Sequence, residues 1–245
     1  MTTGLIKYIR EMSLFKEGNH WRKNGTVYAE NNHYKGNLKM TLTGNSILVK
    51  SSFDSPPDNP LLMLQEWLEL ADKVGVREPR SMVLSTLDKF NRPSSRVVLL
   101  KECDATGVIF GTSQHSAKGR DLQSNPWAAG NLWWREIILQ VNFQGQVTQL
   151  SEQQSDEMFR TRPREGQAVS AVSRQSAPLH NEIELGNKVQ RLIDATGEIE
   201  RPEGWFAYHL ILASIEFWQG GQDRLHKRLR YDLSNGCWSY QRLQP

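Results

Sequence analysis

The sequence predicts an α+β fold that is mainly β, an antiparallel barrel with peripheral helices. Three strand-like runs follow one another through short, turn-rich connectors, which is typical of an antiparallel meander: 81–87, 95–101 and 107–113. Helical patterns are concentrated between 152 and 197. The chain then returns to a long apolar strand at 205–218 and a hairpin whose turn is Asn235-Gly236.

The first predicted helix covers residues 60–75. Asn59 is a suitable N-cap, Pro60 suits the first helical position and Gly75 suits the exit. Apolar side chains recur at helical spacing and form one stripe: Leu61, Leu64, Trp67, Leu68 and Ala71. This stripe predicts that the helix packs against the sheet.

The middle of the chain alternates between helix and strand signals. Ser116 can cap a short helix that stops before Pro126, and Gly145 is a plausible bulge within a later strand. Ser151 and Gln154 form a capping box that opens a further helix. The predicted elements are helices at 117–124, 152–162, 166–175 and 181–197, and strands at 128–134 and 137–150.

Composition excludes several classes of protein. The 245 residues carry 30 basic and 27 acidic groups, a net charge of +3, which does not favour a nucleic-acid-binding chain but permits a local basic pocket. Cys103 and Cys237 are too far apart in sequence to indicate a disulfide framework or a thiolate metal site. Because no apolar run is long enough for a membrane span or signal peptide, we expect a soluble, cytoplasmic protein.

We expect one domain over residues 60–245, preceded by a largely irregular leader over 1–59 with one short helix near Ile6–Met12. The leader is rich in Asn, Gly, Ser, Lys and Pro and poor in apolar periodicity. Met40 is an alternative start, in which case residues 1–39 would not be native, and the sequence leaves both starts open.

The run "EFWQGGQDRLHKRLRY" at 216–231 concentrates positive charge near the C-terminus. If it is a strand, one face carries Arg224, His226, Arg228 and Arg230, and the other carries Leu225, Leu229 and Tyr231. Such a face either protects an edge strand or binds an anion. The upstream Trp218 and the Gly pair that follows it favour a ligand, since Trp offers a flat surface and glycine permits close approach.

A second constellation surrounds the predicted strand 95–101 and the helix that begins near Ser116. Arg96 and Lys101 bracket an apolar run, and Thr112 and Lys118 flank the helix start, which is a natural phosphate seat. The alternative for Lys118 is an ordinary surface lysine. Gln140 stands out on an apolar strand, and Gln175 and Ser176 follow an apolar helical stretch.

Other chemistry finds no support in the sequence. The six histidines are scattered without the spacing of metal ligands, so no metal site is predicted. Dinucleotide-binding and phosphate-binding glycine motifs and a nucleophile elbow are absent. Although the chain has eight Trp residues, no continuous basic stripe accompanies them, which disfavours nucleic acid as a partner.

Taken in order, five segments resemble the pyridoxamine 5′-phosphate oxidase family over about the whole of 60–245: "RVVLLK", "GTSQHSAKGR", "LQVNFQGQV", "RPREGQAVSAVSRQS" and "EFWQGGQDRLHKRLRY…RLQP". The resemblance implies a split β-barrel homodimer that binds FMN in two clefts at the subunit interface. It implies FMN contacts from Arg96, Val97, Val98, Leu99, Lys101, Gly111, Thr112, Lys118, Gln140, Gln175, Ser176, Trp218 and Arg228. It implies substrate contacts from Lys101, Arg162, Arg224 and His226, of which Arg224 and His226 would be catalytic.

Departures from the family pattern concern the substrate. Vitamin-forming members grip the substrate phosphate with Lys, Tyr, Arg and Ser; here Lys101 and Arg162 remain, but Met158 and Gly166 replace the Tyr and Ser. Neither replacement offers a strong hydrogen bond. At the FMN phosphate, Ala117 replaces an Arg.

The chain is more similar to the phenazine-biosynthesis branch of flavin oxidases, through "DSPPDNPLLMLQEWL", "VREP", "WWRE" and "RLQP". The branch implies oxidation of a reduced phenazine carboxylate precursor, a small aromatic substrate, with dioxygen as acceptor. Two alternatives stay open: a pyridoxamine or pyridoxine 5′-phosphate oxidase, and a flavin-binding protein without turnover.

Overall fold

The computed structural model describes residues 15–17, 20–23, 26–29 and 53–245, with the exception of residue 222. The chain divides into two compact units, 1–41 and 42–245. In the first unit, three short strands form an antiparallel sheet: β1 (Phe15–Glu17), β2 (His20–Lys23) and β3 (Thr26–Ala29). The predicted leader therefore contains strands where the sequence analysis expected irregular chain.

The sequence signal for this small sheet was the Asn24-Gly25 pair between β2 and β3, a sequence typical of two-residue hairpin connections. The helix predicted near Ile6–Met12 lies outside the described residues. Phe53, also part of the predicted leader, is 2% exposed and belongs to the core of the second unit. That unit therefore begins before residue 60.

The described part of the second unit contains five helices and nine strands. The helices are α1 (Pro60–Lys73), α2 (Ala117–Ser124), α3 (Glu152–Arg160), α4 (Arg164–Val172) and α5 (Glu182–Asp194). The strands are β4 (Ser81–Leu87), β5 (Pro93–Leu99), β6 (Glu102–Cys103), β7 (Gly107–Ser113), β8 (Trp127–Trp134), β9 (Leu139–Gln149), β10 (Trp205–Gln219), β11 (Lys227–Ser234) and β12 (Cys237–Leu243). None of these helices is both long and apolar enough to cross a bilayer.

The nine strands form one antiparallel sheet in the order β12-β11-β10-β9-β8-β4-β5, with β7 beside β10 and β6 beside β7. The long strand β10 organises it. One edge of β10 pairs with β9, while the other pairs first with β7 and then with β11. This change of partner opens the sheet into a split barrel, the predicted fold.

A β-bulge lies where β10 meets β9. The register shifts between Leu212 and Ser214, so the extra residue is Ala213 on β10. The sequence analysis assigned the bulge to Gly145, which instead lies on the partner strand opposite Leu212. Glycine is required there because a Cβ would lie 1.8 Å from the carbonyl oxygen of Ile211.

Helix α1 follows its sequence signals. The Asn59 side chain accepts a hydrogen bond of 3.0 Å from the backbone N–H of Leu61, and Pro60 takes the first position. The predicted stripe is buried, and the Trp67 ring meets Phe217 of β10 edge to face at 5.0 Å. Each buried large side chain of this stripe contributes roughly 1.5–3 kcal/mol, which anchors α1 on the sheet.

Helix α3 connects the sheet to the region that becomes the site. Its capping box between Ser151 and Gln154 is present as predicted. Phe159 packs edge to face on Trp205 at 5.1 Å, and the Ser155 hydroxyl accepts a hydrogen bond of 3.1 Å from the backbone N–H of Ala207. These contacts fix α3, and the chain that leads from it to α4, against the start of β10.

The basic C-terminal run differs from its prediction. The strand β11 begins at Lys227, and Arg224 lies in the preceding turn with φ +64°. Leu225, predicted to share one strand face with Leu229 and Tyr231, is 69% exposed, whereas Leu229 and Tyr231 are fully buried. The Gly pair and Asp223, whose carboxylate accepts from the backbone N–H of Leu225 at 2.9 Å, favour a turn over an extended strand.

The hairpin that closes the chain follows its sequence signal. Asn235 and Gly236 both have positive φ, +51° and +76°, as a type I′ turn requires. The predicted helix over 166–175 runs instead from Arg164 to Val172, so that Gln175 and Ser176 lie in a turn after it.

Candidate active site

A cavity of about 250 Å³ lies between β5, β7, the start of α2 and the α3–α4 connection. Its described lining contains three cations, Lys101, Lys118 and Arg162, and no carboxylate. Uncompensated positive charge around one enclosed space is costly unless an anion completes it. The cavity is therefore suited to a strongly anionic ligand.

Lys118 lines this cavity and is only 6% exposed. Its ammonium donates to the Thr112 hydroxyl at 2.9 Å and to the Ser116 hydroxyl at 3.4 Å. Burial, together with the nearby charge of Arg96, lowers the pKa of Lys118 to about 8. Lys118 is thus a buried cation beside neutral hydroxyls, not the surface lysine of the alternative interpretation.

The N-terminus of α2 points into the same region. Ser116 is the N-cap, and its hydroxyl accepts from the backbone N–H of Gly119 at 3.2 Å. The next N–H, of Ala117, donates to the Ser176 hydroxyl at 3.1 Å, while Gln175 accepts a hydrogen bond from Thr112 at 3.3 Å. The structure thus brings the predicted Thr112, Gln175 and Ser176 around Lys118 at a helix N-terminus, where an anion is favoured.

Arg96 on β5 extends the positive region next to Lys118. Its guanidinium donates to the Thr86 hydroxyl at 2.7 Å and to the Ser94 hydroxyl at 2.8 Å, and lies 3.7 Å from the Asp121 carboxylate. Thr86 donates to that carboxylate at 2.6 Å. Burial lowers the pKa of Arg96, which the charge of Asp121 partly offsets.

Thr86 and Asp121 were missed by the sequence analysis. Thr86 occupies a buried position on β4 and Asp121 lies one turn into α2, so no local motif links them. A polar residue at a core position of a strand was the available signal.

Arg162 forms the other end of the cavity. Its guanidinium lies 5.2 Å from the Trp205 ring and donates to the Gly166 carbonyl at 3.2 Å and the Ser170 hydroxyl at 3.1 Å. Its Nε is buried and has no partner among the described residues, and burial lowers the pKa of Arg162. Met158 also lines this end. A ligand with an anionic oxygen would supply what Arg162 lacks.

The backbone of β5 and β7 forms the remaining wall. Val97 and Leu99 are exposed toward the cavity side, and Val98 packs against the core. Gly111 is explained by packing, because a Cβ there would lie 2.3 Å from the Trp205 ring. That glycine lets Trp205 close the cavity.

The remaining predicted residues form a separate ring-side group, defined here as Gln140, Trp218, Arg224, His226 and Arg228. Trp218 lies opposite Gln140 on one side and opposite Arg228 on the other. The Trp218 ring is 4.7 Å from the His226 ring, and His226 accepts a hydrogen bond of 3.1 Å at Nδ1 from the backbone N–H of Gly221. The Trp133 ring meets the Trp218 ring edge to face at 6.0 Å.

One chain does not bring the ring-side group to the cavity. The cavity lining includes Trp205 at the start of β10 but no member of the ring-side group. Trp218 follows thirteen residues later on the same strand. At ~3.3 Å per residue, the two rings are about 40 Å apart along the strand. A site that uses both groups therefore needs two copies of the chain.

An antiparallel split barrel with an anion cavity and an aromatic, basic surface defines a small-molecule-binding class of barrel rather than a purely structural one. The family model described as pyridoxamine 5′-phosphate oxidase matches residues 69–193, and that described as pyridoxine 5′-phosphate oxidase C-terminal dimerisation region matches 205–245. The chain belongs to the pyridoxamine 5′-phosphate oxidase family. The predictions of this family, of the split barrel and of an oxidoreductase from a flavin-binding family are confirmed.

Relatives of two kinds are similar to the chain. A dihydrophenazinedicarboxylate synthase of Pseudomonas chlororaphis is 42% identical over 208 residues, 85% of this chain and 94% of that one. A pyridoxine/pyridoxamine 5′-phosphate oxidase of Mannheimia succiniciproducens is 44% identical over 190 residues, 77% of this chain and 90% of that one. Percentage identity alone does not separate these two activities.

A solved structure is similar over most of the chain. The crystal structure of PhzG from Burkholderia lata 383 in complex with tetrahydrophenazine-1-carboxylic acid has a TM-score of 0.80 and 36% identity, and the match covers 82% of this chain and 100% of that one. An FMN-binding protein of Nostoc punctiforme, at a TM-score of 0.64 and 16% identity, shares the fold.

Proposed function

We propose that the protein is an FMN-dependent oxidase of a reduced phenazine carboxylate precursor, dihydro or tetrahydro, with dioxygen as the acceptor. The observation that carries the proposal is the Arg162 end of the cavity, where a guanidinium whose Nε has no hydrogen-bond partner among the described residues lies beside Met158 and Gly166. The dihydrophenazinedicarboxylate synthases at 42% and 37% identity and the structure bound to tetrahydrophenazine-1-carboxylic acid support the same substrate class.

The donor set at the Lys118 end fits the phosphate of FMN. The buried ammonium of Lys118, the hydroxyls of Thr112 and Ser116 and the first turn of α2 lie together, and no carboxylate belongs to the described cavity lining. The Arg96 guanidinium lies nearby, outside that lining, beside Thr86 and Asp121. Bound FMN would supply hydride acceptance from the substrate and reoxidation by dioxygen, with hydrogen peroxide as the product. Arg96 and Lys118 would hold its phosphate, and Thr86 and Asp121 orient Arg96.

The substrate end favours a carboxylate over a phosphate. Arg162 presents a planar fork that matches a carboxylate, and Lys101 adds a second positive charge to the lining. A phosphate dianion needs more donors than these two side chains provide, and Met158 and Gly166 add none. The residues of this end therefore bind one carboxylate and exclude water from its surroundings.

Arg224 and His226 complete the substrate site from the ring-side group. Because the Gly221 N–H occupies Nδ1 of His226, the neutral ring carries its proton on Nε2 and offers that atom as a donor. We infer that His226 orients a substrate oxygen or nitrogen through Nε2–H, and that Arg224 pairs with a second carboxylate. Trp218 supplies the flat surface against which the aromatic ligands lie.

The proposed active species is a homodimer in the cytoplasm. The cavity of one chain and the ring-side group of its partner would form each of two clefts, which follows from the separation of the two groups along β10. The match of residues 205–245 to a dimerisation region supports this arrangement.

Oxygen uptake by the FMN-loaded protein tests the proposal. We expect rapid uptake with a dihydrophenazine dicarboxylate or tetrahydrophenazine-1-carboxylate and little with pyridoxamine 5′-phosphate. Faster turnover of the vitamer would overturn the proposal in favour of the alternative that the 44% identical relative represents. Bound FMN without turnover of either substrate would indicate a flavin-binding protein that is not an oxidase.

A further inference from the structure

Arg228 of the ring-side group, on β11, forms an ion pair with Glu216 of β10. The Arg228 Nε donates to one carboxylate oxygen at 2.7 Å, and Nη2 donates to the other at 3.0 Å. The Glu216 side chain is 12% exposed and that of Arg228 is 31% exposed. A bidentate, partly buried pair of this kind is stronger and better defined than a surface salt bridge.

The Glu216 carboxylate does not bind the arginine that lies directly opposite it in the strand register. Glu216 lies directly opposite Arg230, yet its carboxylate reaches diagonally to Arg228. Arg230 binds Asp232 on its own strand at 2.8 Å instead. Arg228 itself lies opposite Trp218. Glu216 is therefore placed to hold a guanidinium beside the Trp218 ring, while Arg230 is satisfied elsewhere.

The pair leaves Arg228 with a defined direction. A guanidinium has five N–H donors. Two bind Glu216, and a third binds the carbonyl oxygen of Gln244 at 3.2 Å. The guanidinium of Arg228 makes no further hydrogen bond within the described part of the chain, so one donor on each Nη remains for a ligand. These donors are oriented, but the positive charge behind them is cancelled by Glu216.

We propose that Glu216 is a positioning residue that aims Arg228 at bound FMN and cancels its charge, which holds the reduction potential of the cofactor down. The inference rests on the proposed function, since it requires FMN beside Trp218. An unpaired cation at this position would favour the reduced, more negatively charged form of the cofactor. A neutral pair supplies hydrogen bonds without that bias, and so favours the return of electrons to an acceptor.

Reduction potentials of bound FMN test the inference through a double-mutant cycle. Glu216→Gln should raise the potential, because it leaves the Arg228 charge uncancelled. Arg228→Gln should lower it, because it leaves the carboxylate. In the double variant, the ratio of the dissociation constants for oxidised and reduced FMN should be within a few-fold of the wild-type ratio, because both charges are gone. Each single change should alter the ratio of the dissociation constants for oxidised and reduced FMN at least tenfold, about 30 mV for a two-electron couple.

A merely structural role for Glu216 would give a different pattern. If the pair only holds the two strands together, both single variants would shift the potential in the same direction and the double variant would not return toward the wild type. Asp232→Asn is the matched control, since it removes one carboxylate from the neighbouring Arg230 pair. We expect it to change the potential by less than half as much as Glu216→Gln.

The cycle remains decisive if Glu216→Gln does not fold. The inference still requires the double variant to have a higher potential than Arg228→Gln by at least the tenfold ratio given above. Failure of that difference, with FMN bound, would overturn the role of Glu216 alone. A wild-type protein that binds no FMN in a fluorescence-quenching titration would overturn the proposed function as well.

Discussion

The cavity and the ring-side group treat positive charge in opposite ways. In the cavity, Lys118 is buried and Arg162 is partly buried, both beside neutral partners, and no carboxylate belongs to the described lining. On the ring side, Arg228 binds Glu216 and its neighbour Arg230 binds Asp232. The cavity lining therefore carries positive charge that a ligand can neutralise, whereas Glu216 already neutralises the charge of Arg228 in the ring-side group.

This difference matches two kinds of ligand chemistry. A phosphate or carboxylate gains most from full, desolvated cations, because the attraction grows as water is removed. A planar aromatic ring system gains more from oriented donors and a flat surface, which Arg228 and Trp218 provide. The contrast teaches that the number of basic residues is a poor guide to where charge is available; their acidic partners decide it.

The largest expected effect comes from Lys118→Met, which removes the buried charge and keeps the length of the side chain. Loss of a charge-assisted bond of roughly 1.5–3 kcal/mol should weaken FMN binding about ten- to a hundredfold. Titration of FMN fluorescence measures it. Lys188→Met, at an exposed lysine of α5 paired with Glu184, is the matched control and should leave the affinity unchanged. An unaltered FMN affinity in Lys118→Met would contradict the claim that the cavity charge is available for the ligand.

The next effect concerns substrate choice at the Arg162 end. Met158→Tyr combined with Gly166→Ser should raise kcat/KM for pyridoxamine 5′-phosphate about tenfold or more, because each hydroxyl adds a hydrogen bond to a charged group. A Cβ at Gly166 would lie 3.4 Å from the guanidinium of Arg162, so a serine fits with little adjustment. Steady-state oxygen uptake with the vitamer and with the phenazine substrate measures the change.

Gly186→Ser provides the control for this variant, since nothing lies within 4 Å of a Cβ at that position of α5. The phenazine substrate should lose part of its own kcat/KM, because Tyr at position 158 narrows the cavity. No gain with the vitamer would show that the two replaced residues do not set specificity.

A smaller effect is the pH dependence of FMN binding. In the ligand-free protein, burial lowers the pKa of Lys118 to about 8. A bound phosphate would keep Lys118 protonated at higher pH. Binding therefore takes up a proton above pH 8, and the affinity should fall toward tenfold per pH unit from there. Fluorescence titrations between pH 7 and 10 measure the slope. Lys118→Met should abolish it, and a persistent slope in that variant would assign the dependence elsewhere.

The stability of the ligand-free protein should rise with pH over the range in which the FMN affinity falls. The folded-state pKa of Lys118 lies below its unfolded value of 10.5, so the unfolded chain binds more protons between pH 8 and 10.5. The contribution of this group to the free energy of unfolding therefore rises with pH across that window. Below pH 8 it is constant and unfavourable.

Local sequence signals predicted the elements well where neighbours in sequence make the contacts. The Asn59 cap, the capping box of Ser151 and the Asn235-Gly236 turn each depend on residues at most three positions apart. The predicted extent of the basic strand was wrong, because charged and apolar residues alternate from Arg224 onward. The strand itself starts only at Lys227. The Gly pair and Asp223 were the contrary signal.

The site was predictable only in part. Ordered motifs led to the family and to residues such as Arg96, Lys118 and Arg228, whose assigned roles stay predictions. The acidic partners of those residues could not be predicted from the sequence. Asp121, which lies near Arg96, is 25 positions away in sequence, and Glu216 binds Arg228 on the neighbouring strand. Such pairs arise from strand register and helix placement, which no local window contains.

By itself, the sequence determined the family, the mainly β fold, the helix caps and the set of basic residues available for anions. Only the tertiary structure decided which of those residues are neutralised and which are left for a ligand, and that the two groups lie at opposite ends of β10. The physical reason is that charge compensation depends on distance and burial, and both are set by contacts between segments remote in sequence.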